Sequence, residues 1–205
     1  MADEHELGLR DRKKIDTRQA LSDAAWTLLA ERGVENLRRD EIAARVGVSV
    51  RTFNNYFTTK YDALAYRQVE RLQHNVATLR ARPADESLWD AITVAFVESA
   101  DTGTQPSPAR QTVLRDLMNR PAMRTAVSKV CFTNDELIDV IAARTGTDPA
   151  RDVYPRLVAA AVGAAWQSTA EVFLQADSPV SSHSLLRSAF QQIRAGLPDP
   201  SVQNR

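Results

Sequence analysis

The chain has 205 residues, of which 43% are hydrophobic and 25% are charged, and its formal net charge is zero. This apolar content suffices for a packed core in one large or two small domains. The single cysteine, Cys131, excludes an internal disulfide framework and is consistent with a reducing cytoplasm. Residues 1–14 lack the apolar centre of a signal peptide, and the longest apolar run, Leu157 to Trp166, is too short to cross a bilayer. We therefore expect a cytoplasmic protein without a membrane segment.

The first two predicted elements are an irregular arm and a long helix. Residues 1–14 are predicted to form a flexible polar arm, which follows a phosphate backbone, enters a minor groove or contacts nothing. Its basic residues are Arg10, Arg12, Lys13 and Lys14. The apolar spacing that follows predicts a helix from Asp16 to Glu31, ended by Gly33.

Residues 40–60 have the pattern of a helix-turn-helix. The segment 40–46 places its apolar residues on one face of a short helix, and Gly47 is predicted to end it in the left-handed backbone conformation. Ser49 is predicted to cap a second helix, in which Phe53 and Phe57 lie on the inward face. A short turn joining two helices that bury one another is the geometry of a DNA-binding motif.

The outward residues of this motif have side chains that bond bases or phosphates. Arg and Asn can form two hydrogen bonds at once to guanine or adenine, whereas Tyr and Lys suit phosphates. From Arg10 to Lys60 there are eleven basic and seven acidic residues, so positive charge is concentrated at one end of the molecule. For Arg32 and Arg45, the alternative to DNA binding is that they belong to an ordinary charged surface exposed to solvent. The predicted DNA contacts are Arg38, Arg39, Ser49, Val50, Arg51, Thr52, Asn54, Asn55, Tyr56 and Lys60.

Helical periodicity continues through the rest of the chain. A long helix is predicted from Thr58 or Thr59 to just before Pro83. Further helices are predicted near 86–100, 108–119, 121–144 with a kink at 133–134, 155–175 and 184–197. The chain is thus predicted to be all-α with about nine helices. They form an N-terminal three-helix helix-turn-helix domain (15–58) and a C-terminal ligand-binding and dimerisation domain (59–205).

Two groups of residues in the second domain are candidate sites. The first, an apolar pocket among the central helices, comprises Trp89, Phe96, Met118, Met123, Val127, Cys131, Phe132 and Trp166. The second, a homodimer interface on the last two helices, comprises Ala160, Gly163, Ala164, Leu186, Phe190 and Ile193. In each group the alternative is that the residues only close the core of the monomer.

Several segments, in order and spacing, resemble the TetR family of one-component repressors. They are T-R-Q-A at 17–20, A-A-W at 24–26, L-L-A-E-R-G at 28–33, D-E-I-A at 40–43 and the stretch from Val48 to Y-F-T-T-K at 56–60. This chain has Leu37, Arg38 and Arg39 where the family usually has a small hydroxyl residue that contacts phosphate, so either arginine is expected to take that role. Asn54 and Asn55 replace the family's common aromatic or histidine pair, which implies a different operator sequence.

The resemblance also implies a function. Members of the family usually dimerise through their last two helices, and a dimer reads a palindrome with half-sites about one DNA turn apart. The segment R-P-A-D-E-S-L-W-D-A (82–91), with R-T-F-N-N-Y-F (51–57), is similar to an actinobacterial branch of the mycofactocin-system type. Some of its members respond to acyl-coenzyme A or other lipid-like ligands. We predict a homodimeric repressor released by an apolar effector; the alternatives are a ligand-responsive activator and a helical adaptor that has lost DNA binding.

An enzyme is the rival class. His5, His74 and His183 lie far apart in the sequence, and none has ligand spacing with another His, a Cys or an acidic pair. Glycine-rich phosphate loops are absent from the sequence. We therefore predict no catalytic residue, metal site or cofactor, and we interpret Cys131 as an inert buried thiol.

Overall fold

The computed structural model describes residues 8–98, 107–132, 135–175 and 181–199. These residues form ten α-helices, and a π-helical turn, Val94–Glu98, continues the fifth. The helices are α1 (Leu9–Arg32), α2 (Arg39–Val46), α3 (Val50–Tyr56), α4 (Lys60–Ala81), α5 (Leu88–Thr93), α6 (Pro108–Asn119), α7 (Pro121–Phe132), α8 (Asp135–Thr145), α9 (Tyr154–Gln175) and α10 (Ser182–Arg194). The predicted all-α class is confirmed. The predicted number of helices, nine, is reached when α7 and α8 are counted as one kinked helix.

Helix α1 begins at Leu9 rather than at the predicted Asp16. Residues 9–14 are therefore helical, and the prediction of an irregular arm was wrong there; residues 1–7 lie outside the described part of the chain. The physical reason is local. The segment that follows Gly8 has no further Gly or Pro before Gly33 and is rich in Arg and Lys, which are good helix formers.

The helix predicted from Pro121 to Arg144 is observed as α7 and α8, and residues 133–134, where the kink was predicted, are not among the described residues. Pro121 is the first residue of α7, a position at which its missing N–H needs no partner. Helix α10 begins two residues before the predicted Ser184 and is capped by Ser181, whose hydroxyl accepts a hydrogen bond from the Ser184 N–H (3.4 Å).

Two hydrophobic cores share helix α4. The first contains the inward side chains of α1, α2 and α3, together with residues 63–66 of α4. It also includes Leu117 of α6 and Met123 of α7, so the core of the helix-turn-helix region continues beyond its own three helices. The second core contains Val76 and Leu79 of α4 with side chains of α5, the π-helical turn, α8, α9 and α10. Helix α4 therefore connects the two halves of the molecule.

The N-terminal end of α4 is fixed to α1 by three polar contacts. The Ser22 hydroxyl donates to the carbonyl oxygen of Ala63 (2.8 Å), and the Trp26 indole N–H donates to that of Leu64 (3.0 Å). Arg67 forms an ion pair with Asp23 of α1 (2.7 Å). A capping box between Thr59 and Asp62 closes the first turn of α4. Movement of this end of α4 would therefore carry α1 with it.

Candidate nucleic-acid interface and ligand cavity

The turn between α2 and α3 has the predicted geometry. Gly47 takes the left-handed conformation (φ 74°, ψ 27°), which residues with a Cβ resist. Its N–H donates to the carbonyl oxygen of Ala44 (3.0 Å), and the Val48 N–H donates to that of Ala43 (3.0 Å). The Ser49 hydroxyl then accepts a hydrogen bond from the Thr52 N–H (3.0 Å) and caps α3. The predicted left-handed conformation of Gly47 and the predicted capping role of Ser49 are confirmed.

Helix α3 has one buried face and one exposed face. Phe53 lies fully inside the first core, and Phe57, at the end of the helix, is buried against it with ring centroids 5.8 Å apart. The opposite side presents predicted DNA contacts: Val50, Arg51, Asn54 and Asn55 are exposed, and Thr52 and Tyr56 are half-buried at its margins. Within the described part of the chain, no hydrogen bond or ion pair engages the side chain of Arg51 or Asn55. These groups are thus available to an external partner.

The start of α2 lies beside the exposed face of α3. The Arg39 guanidinium donates to the side-chain oxygen of Asn54 (3.2 Å) and to the carbonyl oxygen of Thr58 (3.4 Å). Arg38 precedes the helix and is exposed. Arg38, Arg39 and Val50 border one shallow depression together with Thr59. The two arginines that replace the expected hydroxyl residue are therefore next to the helix whose polar face is free.

Arg32 and Arg45 have partners inside the helix-turn-helix region. Arg45 forms two hydrogen bonds to the Glu31 carboxylate (2.8 and 2.9 Å), and this contact lowers the pKa of Glu31. Arg32 pairs with Glu41 (2.7 Å). In one pair the arginine belongs to α2 and the glutamate to α1, and in the other pair the two are exchanged. Each arginine is thus paired with a carboxylate, so neither adds a free charge to the exposed face of α3.

Lys60 was predicted to contact phosphate, and in the structure its ammonium also has partners within the protein. Its ammonium donates to the carbonyl oxygens of Val34 (2.8 Å) and Leu37 (3.0 Å) in the loop between α1 and α2. Burial lowers the pKa of this ammonium. Two of its three donors are therefore satisfied within the protein, so we interpret Lys60 as a group that holds the α1–α2 loop, and its phosphate contact stays a prediction.

Arg18 and Arg120 also position this region, and the sequence did not single them out individually. The Arg18 guanidinium lies 5.9 Å from the ring centroid of Phe57 and 5.5 Å from that of Tyr66, so it packs where α1, the end of α3 and α4 meet. Arg120, between α6 and α7, pairs with Glu35 in the α1–α2 loop and with Asp116 (3.2 Å). Only the Asp116–Arg120 pair has a helical i, i+4 spacing, and the other contacts are long-range and have no signal in sequence spacing.

A cavity of about 210 Å³ lies between α4, the π-helical turn, α9 and α10. Two of the predicted pocket residues, Phe96 and Trp166, line it. One wall is a single face of α4 at helical spacing, formed by Gln68, Arg71, Leu72 and Asn75. In the orientation that satisfies both of its amide atoms, Asn75 donates to the carbonyl oxygens of Arg71 and Ala95, each at 3.2 Å.

The other predicted pocket residues lie elsewhere. Trp89 packs on Phe190 in the second core, and Met123 belongs to the first core. Met118 and Val127 border a separate depression. The side chains of Cys131 and Phe132 lie outside the described part of the structure. These four described residues do not line this cavity, because apolar character does not distinguish a cavity wall from a filled core, and the prediction missed the polar wall of α4.

The predicted dimer residues divide into inward and outward groups. Leu186 and Phe190 are buried in the second core of their own chain, and Gly163 is a buried residue of the cavity wall, so these three were wrongly assigned to an interface. Ala160 and Ile193 are half-buried, and Ala164 is exposed. On the same side of α9 as Ala164, at spacings of seven and eight residues, Leu157 is 61% exposed and Val172 is 53% exposed. The exposed apolar surface is thus a stripe of α9, not of α10.

Among the described helices, α9 is the one that is long and apolar enough to cross a membrane by length and composition alone. Its inward side chains, including Val158, Val162 and Ala165, are buried in the second core against α8 and α10. Charged and polar residues, among them Glu171 and Gln175, are exposed on its outer side. This is the pattern of a core helix with one free face.

Within the described ranges, no group of three or more His, Cys, Asp or Glu side chains is arranged to hold a metal ion.

Comparison with known proteins agrees with both halves of this arrangement. Residues 21–65 match the family model of the bacterial regulatory proteins, tetR family, and residues 86–198 match the MftR C-terminal domain. The HTH-type transcriptional regulator TcmR of Streptomyces glaucescens is 28% identical over 203 residues, which span 93% of this chain and 88% of the relative.

Two solved structures have a similar fold. One is FadR of Thermus thermophilus, a TetR family transcriptional repressor in complex with lauroyl-CoA (TM-score 0.55, 17% identity, 89% of this chain and 95% of that chain). The other is the fatty acid degradation regulator FadR from Bacillus halodurans (TM-score 0.53, 17% identity, 88% of this chain and 96% of that chain).

Proposed function

We propose that this chain, which belongs to the TetR family of DNA-binding transcriptional regulators, is a cytoplasmic homodimeric repressor released from its operator by a small apolar effector. Its C-terminal domain is of the MftR type. Membership of this family makes it a regulator rather than an enzyme. The observation that carries the proposal is the exposed face of α3. There, Arg51 and Asn55 have no partner among the described residues and are of types that bond bases.

The proposed DNA contacts divide into base readers and phosphate contacts. Arg51, Asn54 and Asn55 lie on the exposed face of α3, where bidentate bonds to guanine or adenine are available to their side chains. Arg38 and Arg39 lie beside that face and are assigned to phosphates. The complete proposed set is Arg38, Arg39, Ser49, Val50, Arg51, Thr52, Asn54, Asn55 and Tyr56.

The proposed dimer uses the exposed stripe of α9. Leu157, Ala164 and Val172 lie on one side of that helix and together expose apolar surface that a second copy of the chain would cover. A twofold axis through this stripe would place the same surface of each protomer against the other, as an isologous interface requires. Helix α10 would contribute its outer, polar face at the margin, because its apolar side already packs in the monomer core.

Helix α4 links the cavity to the DNA-binding region in the proposed mechanism. Its residues 68–75 line the cavity, and its first turns are tied to α1 through Ala63, Leu64 and Arg67. A ligand that displaces α4 would therefore move the helix-turn-helix of each protomer. Since both half-sites must be met at once, a small change in the separation of the two α3 helices lowers operator affinity. Acyl-coenzyme A and other lipid-like molecules are the first effectors to test, because lauroyl-CoA accompanies the similar fold of the Thermus protein.

The test is fluorescence anisotropy of the full chain on duplex DNA from its own promoter, compared with a scrambled duplex, at two salt concentrations. The proposal expects preferential binding to the promoter duplex, weakened by salt, and a further loss in Arg51→Ala. Addition of an effector should then release the DNA. Equal binding to both duplexes would contradict sequence-specific regulation by this promoter and favour the adaptor alternative. Transcription assays with polymerase would distinguish repression from ligand-responsive activation.

A further inference from the structure

The ionisable side chains that line the cavity are basic. Arg71 of α4 and His183 in the first turn of α10 both contribute to its wall, and none of the described lining residues is Asp or Glu. The remaining polar lining consists of neutral amides and hydroxyls, such as Gln68 and Thr169. The electrostatic potential at this wall is therefore suited to an anion.

Arg71 differs from the other arginines of α4. Arg67 pairs with Asp23 at 2.7 Å, and Arg80 pairs with Glu136 at 2.9 Å. Arg71 is exposed, and no carboxylate within the described ranges forms an ion pair or hydrogen bond with it. Its neighbour Glu70 faces Asp23 and Arg67, and burial together with the charge of Asp23 raises the pKa of Glu70. The Arg71 guanidinium thus retains its hydrogen-bonding capacity at the edge of the cavity.

The rest of the cavity is apolar and small. Phe96, Val162, Trp166 and Phe173 form much of its wall. Its volume of about 210 Å³ is that of about seven water molecules at their liquid volume, so it has room for on the order of seven carbon atoms of a ligand whose carboxylate stays at the edge, beside Arg71. A long acyl chain exceeds this space, whereas a short chain or a single ring fits.

We infer that the cavity binds a small amphipathic carboxylate, whose apolar part contacts Phe96 and Trp166 and whose carboxylate is bound by Arg71 with His183 beside it. This assignment rests on the proposed function, because it specifies the class of effector that the regulator senses. The planar guanidinium can donate two parallel hydrogen bonds to a carboxylate, which gives geometric selection as well as attraction. Because Arg71 belongs to α4, the bound anion would act directly on the helix that connects the cavity to the helix-turn-helix.

The experiment measures ligand binding to the full chain without DNA. Octanoate is the probe, 1-octanol is its uncharged counterpart, and octanoyl-CoA presents the same chain without a free carboxylate. Calorimetric titration gives the dissociation constants, and the fluorescence of Trp166, identified by loss of the signal in Trp166→Phe, reports occupancy of this cavity. Arg71→Gln removes the proposed anion contact, and Arg80→Gln removes the same charge from the same helix away from the cavity.

We expect octanoate to bind wild type at least about tenfold more tightly than octanol, since a hydrogen bond to a charged group contributes this order of affinity. Arg71→Gln should lose about that factor for octanoate and leave octanol binding unchanged, and Arg80→Gln should behave as wild type. Arg71→Lys keeps the positive charge but not the two parallel donors of the guanidinium, so it should lose less octanoate affinity than Arg71→Gln. Thermal melts establish that each variant is folded.

Several outcomes would overturn the inference. They are equal binding of octanoate and octanol, an equal loss of both ligands in Arg71→Gln, binding of octanoyl-CoA alone, and binding of no probe. The anisotropy assay on promoter DNA keeps these failures separate from failure of the proposed function. Specific DNA binding with no carboxylate selectivity refutes only the proposed class of effector. Carboxylate binding without specific DNA binding refutes only the proposed recognition of promoter DNA.

Discussion

Replacement of Lys60 by Met tests whether this residue holds the helix-turn-helix together or contacts DNA. Methionine keeps an unbranched apolar side chain of similar length but has no donor. The Val34 and Leu37 carbonyl oxygens would then lose the ammonium that lies 2.8 and 3.0 Å from them. The substitution should therefore destabilise the α1–α2 loop and, with it, the first core.

The magnitude follows from these two hydrogen bonds. Bonds that involve a charged group contribute about 1.5–3 kcal/mol each, but Lys60 is only half-buried and water can reach part of the site. Two bonds at the low end give about 3 kcal/mol, and after a reduction for solvent access we expect the free energy of unfolding to fall by about 2 kcal/mol in total. For a chain of this length, the midpoint of thermal unfolding should fall by about 4–8 °C.

The matched control is Arg51→Met, which removes the same charge from an exposed side chain with no partner in the described structure. Its unfolding free energy should stay within about 0.5 kcal/mol of wild type. Its operator affinity should fall by about 1–3 kcal/mol if Arg51 reads a base. Calorimetric or circular-dichroism melts measure the first quantity, and anisotropy titrations over a range of salt concentrations measure the second.

The two substitutions are expected to have opposite profiles. Lys60→Met should lower stability and, below its melting temperature, keep the wild-type salt dependence of DNA binding. If Lys60 contacts phosphate instead, the slope of log affinity against log salt would become shallower by about 0.9 per half-site, with little change in the melting temperature. That result would refute the role assigned to the ammonium.

Three further predictions concern the dimer, the α3 cap and a carboxylate of α4. Leu157→Glu combined with Val172→Glu should convert the protein to a monomer in sedimentation experiments and abolish operator binding; a persistent dimer would exclude the α9 stripe as the interface. Ser49→Ala should cost about 1 kcal/mol of stability, whereas Ser49→Asn should retain most of it, and equal melting of the two variants would argue against the cap. Burial raises the pKa of Glu70, so its protonated form stabilises the fold fully below its unfolded pKa, and this contribution is lost as pH rises through the folded pKa. Glu70→Gln cannot ionise, so its melting temperature relative to wild type should increase between about pH 4 and pH 8, and a constant difference would contradict the buried carboxylate.

Local features of the helix-turn-helix could be predicted from the sequence because their causes are local. The left-handed Gly47, the Ser49 cap and the inward Phe53 depend on residues within a few positions of one another. Apolar periodicity predicts a helix and its buried face for the same reason. The early start of α1 at Leu9 is the exception, since a charged segment of good helix formers carries no such periodicity.

The cavity and the free surfaces were decided by tertiary packing. Apolar periodicity shows that Leu186 and Phe190 face a partner, but not whether that partner is the same chain or a second one; here it is the same chain. The exposed stripe of α9 is recognisable only after α8 and α10 have covered its other faces. Likewise, Phe96 and Met123 are both buried and apolar, yet only Phe96 borders empty space.

The same division separates the charged residues. Sequence alone determined that basic side chains exceed acidic ones between Arg10 and Lys60, because charge and motif are properties of the chain. Only the fold decided which basic side chains are free. Arg45 pairs with Glu31, and Lys60 donates to two carbonyl oxygens. The side chains of Arg51 on α3 and Arg71 on the cavity wall, in contrast, have no partner within the described residues. Such contacts join residues distant in sequence, and the position of a long flexible side chain depends on which acceptors the packed helices bring within its reach.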